Sequence, residues 1–151
     1  MQECYNWNTN TLDFTDVNGN KYYFELKGAK TIVGGETATG KTLVCNKLMD
    51  IIQDDNIGMK PYAANNIFVF TQQNREKLFE QNHKLILIDR AEMVLSEVEI
   101  EFINADTSVN RYIIFARAPL GVDLSPNYFA EIENENGTMK IKYLFDERGW
   151  N

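Results

Sequence analysis

The chain has 151 residues, 44% of them hydrophobic and 25% charged, which suits a single globular domain over residues 1–151. The formal charge of −7 disfavours the broad basic surface of non-specific nucleic-acid binders, so we expect no nucleic-acid partner. The first residues lack a signal-peptide pattern, and no run of about 18 apolar residues occurs. We therefore expect a cytoplasmic protein that does not associate with a membrane.

The cysteines and the histidine carry no metal-site pattern. Cys4 and Cys45 form no CxxC motif, and His83 is the one histidine, so a Cys/His zinc set cannot be completed. Cys45 falls on an apolar stripe, which favours a buried small side chain over a reactive thiol. His83 stands among polar residues before a predicted strand, which favours a solvated or capping role.

β-Hairpins are predicted near both ends of the chain. Asn18-Gly19 separates two β-rich stretches within residues 11–27, and an Asn-Gly pair in this setting is a strong hairpin signal. A second hairpin is expected over about residues 127–146, where alternating apolar residues flank a turn ending in Asn136-Gly137.

Between the hairpins, over about residues 30–117, short apolar strands alternate with helical stretches, which is typical of a parallel sheet with crossover helices. Residues 90–106 fit two patterns, because Val98, Ile100 and Phe102 alternate like a strand while Ser96-Glu97-Val98-Glu99 has capping-box spacing. We assign a helix there, since a crossover is needed before the next strand. In chain order we expect a strand at 31–33, a helix at 41–54, strands at 67–70, 85–88 and 112–115, and a short polar helix at 74–83.

Residues 35–42 read Gly-Glu-Thr-Ala-Thr-Gly-Lys-Thr and fit the pattern GxxxxGK[ST]. The glycines permit a backbone curl whose N–H groups point inward, and the following helix adds the partial positive charge of its N-terminus. Lys41 would reach the β- and γ-phosphates, and the Thr42 hydroxyl would bind Mg²⁺. An ordinary Gly-rich turn between strand and helix is the structural alternative. The predicted phosphate-binding residues are Gly35, Glu36, Thr37, Ala38, Thr39, Gly40, Lys41, Thr42 and Leu43.

With this motif between a predicted strand and a predicted helix, the sequence resembles the P-loop NTPase superfamily over roughly residues 30–117. A further strand at 67–70 precedes the strand at 85–88, as in the additional-strand division that contains the AAA+ and ABC-type ATPases. The resemblance implies a three-layer α/β fold with a mainly parallel sheet, here extended by N- and C-terminal β-hairpins. It also implies ATP and Mg²⁺ as the cofactors.

The same resemblance assigns two residues that follow strands. Leu85-Ile86-Leu87-Ile88-Asp89 looks like a Walker B segment, which implies that Asp89 holds the Mg²⁺ shell; the alternative is that Asp89 caps the next helix. Arg117 matches the place of a polar sensor of the γ-phosphate, and its alternative is a surface arginine at a strand end.

The catalytic base is where the match fails. Arg90 stands where that division places the glutamate that activates water. Glu92 and Glu36 are other carboxylates near the expected γ-phosphate, although Glu92 also suits the first turn of a helix and Glu36 a solvated loop. The expected function is a Mg²⁺-dependent ATPase, and the alternatives are a nucleotide-gated binding module without turnover or a small-molecule kinase. A protein partner or a second copy of the chain would complete such a site.

Overall fold

The computed structural model describes residues 2–16, 18–34, 41–53, 62–106, 109–117, 121–122 and 129–144. Within these ranges the chain forms eleven strands, three α-helices and one 3₁₀ helix. The strands are β1 (Gln2–Glu3), β2 (Tyr5–Asn6), β3 (Thr11–Thr15), β4 (Lys21–Glu25), β5 (Lys30–Gly34), β6 (Tyr62–Ala63), β7 (Ile67–Phe70), β8 (Leu85–Ile88), β9 (Arg111–Phe115), β10 (Phe129–Glu135) and β11 (Thr138–Tyr143). The helices are α1 (Lys41–Gln53), the 3₁₀ helix (Gln72–Glu80), α2 (Ala91–Val94) and α3 (Glu97–Ala105).

Nine strands form one mixed sheet in the order β2-β3-β4-β11-β10-β5-β9-β8-β7. Strands β10, β5, β9, β8 and β7 run parallel, and Ile32 of β5 lies opposite both Phe129 and Ile114. Strands β2, β3 and β4 pair antiparallel with one another. Strand β11 joins the two parts, because it pairs antiparallel with β10 and parallel with β4.

The two edges of this sheet approach each other. Strand β1 pairs with β6, and these strands directly precede the edge strands β2 and β7. The side-chain amide of Asn66 donates a hydrogen bond of 2.8 Å to the carbonyl oxygen of Tyr5, which links the β7 end of the sheet to β2. The sheet is therefore nearly closed and barrel-like.

The predicted three-layer α/β fold with a mainly parallel sheet is wrong. Strands dominate the described residues, and both hairpins are integral to the one mixed sheet, since β10 pairs directly with β5 and β11 with β4. Among the described helices only α1 exceeds ten residues. Alternating apolar residues mark which face of a strand is buried but leave its pairing partner undetermined, which is why the hairpins were expected as extensions of a parallel core.

The local elements agree better with expectation. Strands occupy each of the four predicted core positions, and α1 begins at Lys41 as expected. Residues 90–106 form two short helices, and the capping box of Ser96 and Glu99 is present at the start of α3. The second hairpin turns at Asn136 and Gly137, whose φ angles of 54° and 87° suit this residue pair. None of the described helices has the length and apolar character needed to cross a membrane.

Successive residues of the central strands face two different hydrophobic clusters, one on each side of the sheet. Leu87 of β8 lies in the cluster that contains Leu48 of α1. Its neighbour Ile88 lies in the cluster that contains Ile103 of α3. This alternation indicates that the next residue, Asp89, lies on the same side of the sheet as α1.

Candidate functional site

The carboxyl ends of three parallel strands lie along one edge of the sheet, here called the carboxyl edge. These strands end at Gly34 of β5, Ile88 of β8 and Phe115 of β9. The N–H of Ala116 donates to the carbonyl oxygen of Val33 over 3.1 Å, so the chain leaving β9 stays beside β5. Ligands of sheets with parallel strands commonly bind outside the carboxyl ends of those strands. This edge is therefore a candidate binding site.

The predicted phosphate loop connects this edge to α1. Residues 35–40 lie outside the described residues, as do the side chains of Lys41 and Thr42. The predicted contacts of these residues with phosphate stay predictions. The backbone of α1 begins at Lys41, and Leu43 in its first turn is half-buried. The first turn of a helix presents backbone N–H groups that lack partners within the helix, which favours an anion at that end.

Asp89 lies at this edge and close to α1. Burial, and to a smaller extent the charge of Asp89, raise the pKa of the Cys45 thiol in the second turn of α1. Cys45 is 3% exposed, which confirms its predicted burial. The alternation in β8 agrees with this placement, since Leu87 also faces α1. Helix α2 has Arg90 at its N-cap position, so Asp89 is not the N-cap residue of that helix.

The Asp89 side chain is partly buried, with 22% of it exposed. The Arg90 Nε lies 3.9 Å from Asp89 Oδ2, and the Arg90 side chain is 63% exposed. Among the described residues, no group of three or more His, Cys, Asp or Glu side chains could hold a metal ion. Magnesium needs fewer protein ligands, because it commonly takes one or two carboxylates together with phosphate oxygens and water. Asp89 fits such a role.

Glu92 and Arg117 meet at the same edge. The Oε1 atom of Glu92 accepts a hydrogen bond of 3.1 Å from the backbone N–H of Arg117. Arg117 itself is exposed, two residues beyond the end of β9. The structure thus places three residues with predicted roles, Asp89, Glu92 and Arg117, at the edge from which the predicted phosphate loop departs.

A supporting ion pair near this edge was not predicted from the sequence. The guanidinium of Arg75, on the 3₁₀ helix, binds the buried carboxylate of Glu99 with two hydrogen bonds of 2.9 and 3.0 Å. Arg75 also donates to the carbonyl oxygen of Val94, the last residue of α2. The capping-box pattern was the available signal for Glu99, but no local pattern points to a partner so far away in the sequence.

His83 lies outside this site. Its ring packs against the indole of Trp7, with ring centres 3.8 Å apart, and the guanidinium of Arg111 lies 3.9 Å from the centre of the same indole. Arg111 begins β9 and His83 precedes β8, so this cluster lies at the amino ends of the parallel strands, opposite the carboxyl edge.

Comparison with known proteins assigns no relative: no family model, curated protein or solved structure matches this chain.

Proposed function

We propose that the chain binds ATP with Mg²⁺ at the carboxyl edge of β5, β8 and β9, with the triphosphate on residues 35–42. The observation that carries this proposal is the position of Asp89, which directly follows β8 at the edge where the parallel strand β5 ends. An acid at a strand end therefore lies at the edge where the GxxxxGK[ST] segment begins. Separate parts of the chain supply these two features, so their convergence is independent support for the motif.

Each residue would have a distinct task. Lys41 would neutralise charge on the β- and γ-phosphates, while the N–H groups at the start of α1 would bind phosphate oxygens. Thr42 and Asp89 would hold Mg²⁺, which when bound supplies positive charge to the phosphates. The adenine contacts are left unassigned. A cytoplasmic location, as expected from the sequence, would supply both ATP and Mg²⁺.

We propose slow ATP hydrolysis as the activity of the isolated chain. Arg90 cannot activate water as a glutamate would, because its guanidinium has no acceptor for a proton. A partner protein or a second copy would supply the missing carboxylate. The arginine at position 90 also favours a second candidate function, a nucleotide-gated binding module without turnover.

The binding proposal is tested by thermal unfolding with and without MgATP, using Lys41→Ala and the matched control Lys47→Ala on the same helix. We expect ATP to stabilise the wild type and the control by about 2.7 kcal/mol at 100 times the dissociation constant. Lys41→Ala should keep its melting temperature without ATP and lose the increase with ATP. Equal ATP-induced stabilisation of all three proteins would contradict the proposed site.

Phosphate release separates the two candidate functions. Slow release from MgATP supports an ATPase, whereas binding with no release supports the module without turnover. Release by the monomer at an ordinary enzyme rate, on the order of 10 s⁻¹, would contradict the need for a partner. Transfer of labelled γ-phosphate to an acceptor other than water would instead identify a kinase.

A further inference from the structure

A cavity of about 350 Å³ lies where strands β4 and β11 separate. The two strands pair at Lys21–Tyr22 with Thr138–Met139, although β4 continues to Glu25 and β11 to Tyr143. The cavity is lined by residues of this diverging part of both strands and by the two residues that follow β4. Small-molecule sites begin at about 300 Å³, so the space suits a small ligand.

The surface of the cavity is largely apolar and aromatic. Leu26 and Ile141 contribute aliphatic side chains, and Tyr23 and Tyr143 contribute rings. The Tyr143 hydroxyl accepts a hydrogen bond of 3.0 Å from the backbone N–H of Lys27, which fixes its ring across the gap between β11 and the end of β4. A flat apolar ligand can pack against such a surface.

Two lysines bring positive charge to the same cavity. The Nζ atom of Lys27 lies 4.5 Å from the centre of the Tyr143 ring, and that of Lys140 lies 6.0 Å from the centre of the Tyr23 ring. The attraction between an ammonium group and an aromatic face keeps both charges beside the rings. Lys140 also lies 3.7 Å from the Oε1 atom of Glu135, so part of its charge is already balanced.

Lys27 differs from Lys140 in having its charge available. Its side chain is exposed, and none of the ion pairs within the described part of the chain includes it. Glu25 is the one acid among the described lining residues, and its hydrogen bond with Tyr23 raises the pKa of that hydroxyl. The cavity thus combines an aromatic surface with an ammonium group that can bind an anion.

We propose that this cavity binds a small molecule that carries a flat aromatic ring and one carboxylate or phosphate group. The ring packs against Tyr23 and Tyr143, and the anionic group binds the Lys27 ammonium. None of the described lining residues belongs to the carboxyl edge, and β10 separates β11 from β5. The cavity is therefore a second site, independent of the proposed ATP site.

NMR titration of the full chain with four probes tests this site. The probes are 2-naphthoate, 2-naphthyl phosphate, the uncharged 2-naphthalenemethanol, and acetate, which lacks a ring. We expect both naphthyl anions to bind with dissociation constants on the order of 1 mM, typical of ligands of this size, and to shift the amide signals of Lys27 and Tyr143. The uncharged ring and acetate should each bind at least about fivefold more weakly, because each lacks one of the two contacts.

Variants separate the charge from the ring. Lys27→Met keeps the apolar stem but removes the charge, so it should weaken 2-naphthoate binding about fivefold and change binding of the uncharged probe by less than about twofold. Lys142→Met, at an exposed residue of β11 outside the cavity, is the matched control and should bind every probe like the wild type. Tyr23→Leu should weaken all three naphthyl probes about threefold. Should Tyr23→Leu fold poorly, Lys27→Met and its control still decide.

Equal affinity of Lys27→Met and the wild type for 2-naphthoate would overturn the inference, as would equal wild-type affinity for 2-naphthoate and the uncharged probe. No binding of either anion at about 10 mM would overturn it as well. The affinity for 2-naphthoate should be the same in saturating MgATP, and competition between the two would overturn the independence of the sites. If the chain binds 2-naphthoate but not MgATP, the proposed ATP function fails while this inference stands.

Discussion

The guanidinium of Arg75 and the carboxylate of Glu99 form a two-bond ion pair, with Nε 2.9 Å from Oε2 and Nη2 3.0 Å from Oε1. The Glu99 side chain is 4% exposed, whereas that of Arg75 is 39% exposed. Burial acts to raise the pKa of Glu99, but the hydrogen bonds from Arg75 and Ser96 outweigh it, so the pKa of Glu99 is lowered. The pair ties the 3₁₀ helix to the start of α3.

We expect this pair to make stability depend on pH in the acidic range. Because the pKa of Glu99 is lower in the folded chain than its ordinary value of 4.5, its stabilisation is complete above that value. The stabilisation is lost as the pH falls through the folded-state pKa. At pH 7, Glu99→Gln should lower the free energy of unfolding by about 1 kcal/mol, and the difference from wild type should shrink toward pH 3.

Urea unfolding at several pH values between 7 and 3 measures this difference. Glu101→Gln, at an exposed residue of the same helix beyond its first turn, is the control and should follow the wild type at every pH. Asp16, whose pKa is also lowered in the folded chain, is present in all three proteins and cancels from the comparison. If the difference in unfolding free energy between Glu99→Gln and the wild type does not vary with pH, the lowered pKa of Glu99 in the folded chain is contradicted.

A second prediction concerns the contacts at the amino ends of the parallel strands. Arg111 donates from Nη1 to the Tyr5 hydroxyl over 2.8 Å and to the carbonyl oxygen of Trp7, and its guanidinium lies over the Trp7 indole. These contacts tie β9 to the chain around β2. Arg111→Met keeps a similar length but removes the charge and the donors, so we expect it to lower the free energy of unfolding by about 1.5 kcal/mol.

Urea unfolding of Arg111→Met is compared with Arg117→Met, since Arg117 is exposed and this control should unfold like the wild type. The indole N–H signal of Trp7 should also shift in Arg111→Met, because the charge over its ring is removed. Wild-type stability in Arg111→Met would mean that these contacts do not help to hold the nearly closed sheet together.

Magnesium dependence provides a third prediction, which concerns the proposed site. Wild-type affinity for ATP should fall when EDTA removes Mg²⁺. With Mg²⁺ present, the Asp89→Asn variant should bind ATP about tenfold more weakly than the wild type, which is the size typical of losing a metal-site partner. Without Mg²⁺ the two proteins should bind ATP alike. Titration calorimetry in both buffers gives the four affinities.

The matched control is Asp50→Asn, which removes the same charge from an exposed residue of α1. Its affinity should follow the wild type with and without Mg²⁺. Equal Mg²⁺ dependence of Asp89→Asn and the wild type would refute the metal role of Asp89 without excluding ATP binding elsewhere on the chain.

The local structure near the site could be predicted because its signals are short-range. Apolar runs of four residues correctly predicted β7 and β8, and the helical spacing of apolar residues correctly predicted α1. Cys45 was predicted as buried from its place on an apolar stripe, and it is. A short strand such as β2, in contrast, went unrecognised because two residues carry no usable periodicity.

By itself, the sequence determined where most strands and helices lie and identified residues 35–42 and Asp89 as candidates for phosphate and Mg²⁺ binding. Only the tertiary structure decided how the strands pair, and so that the hairpins complete one mixed, nearly closed sheet. It also decided that Arg75 pairs with Glu99 and that Glu92 holds the N–H of Arg117. Periodicity is set by neighbours along the chain, whereas strand pairing and buried ion pairs depend on contacts between residues far apart in sequence.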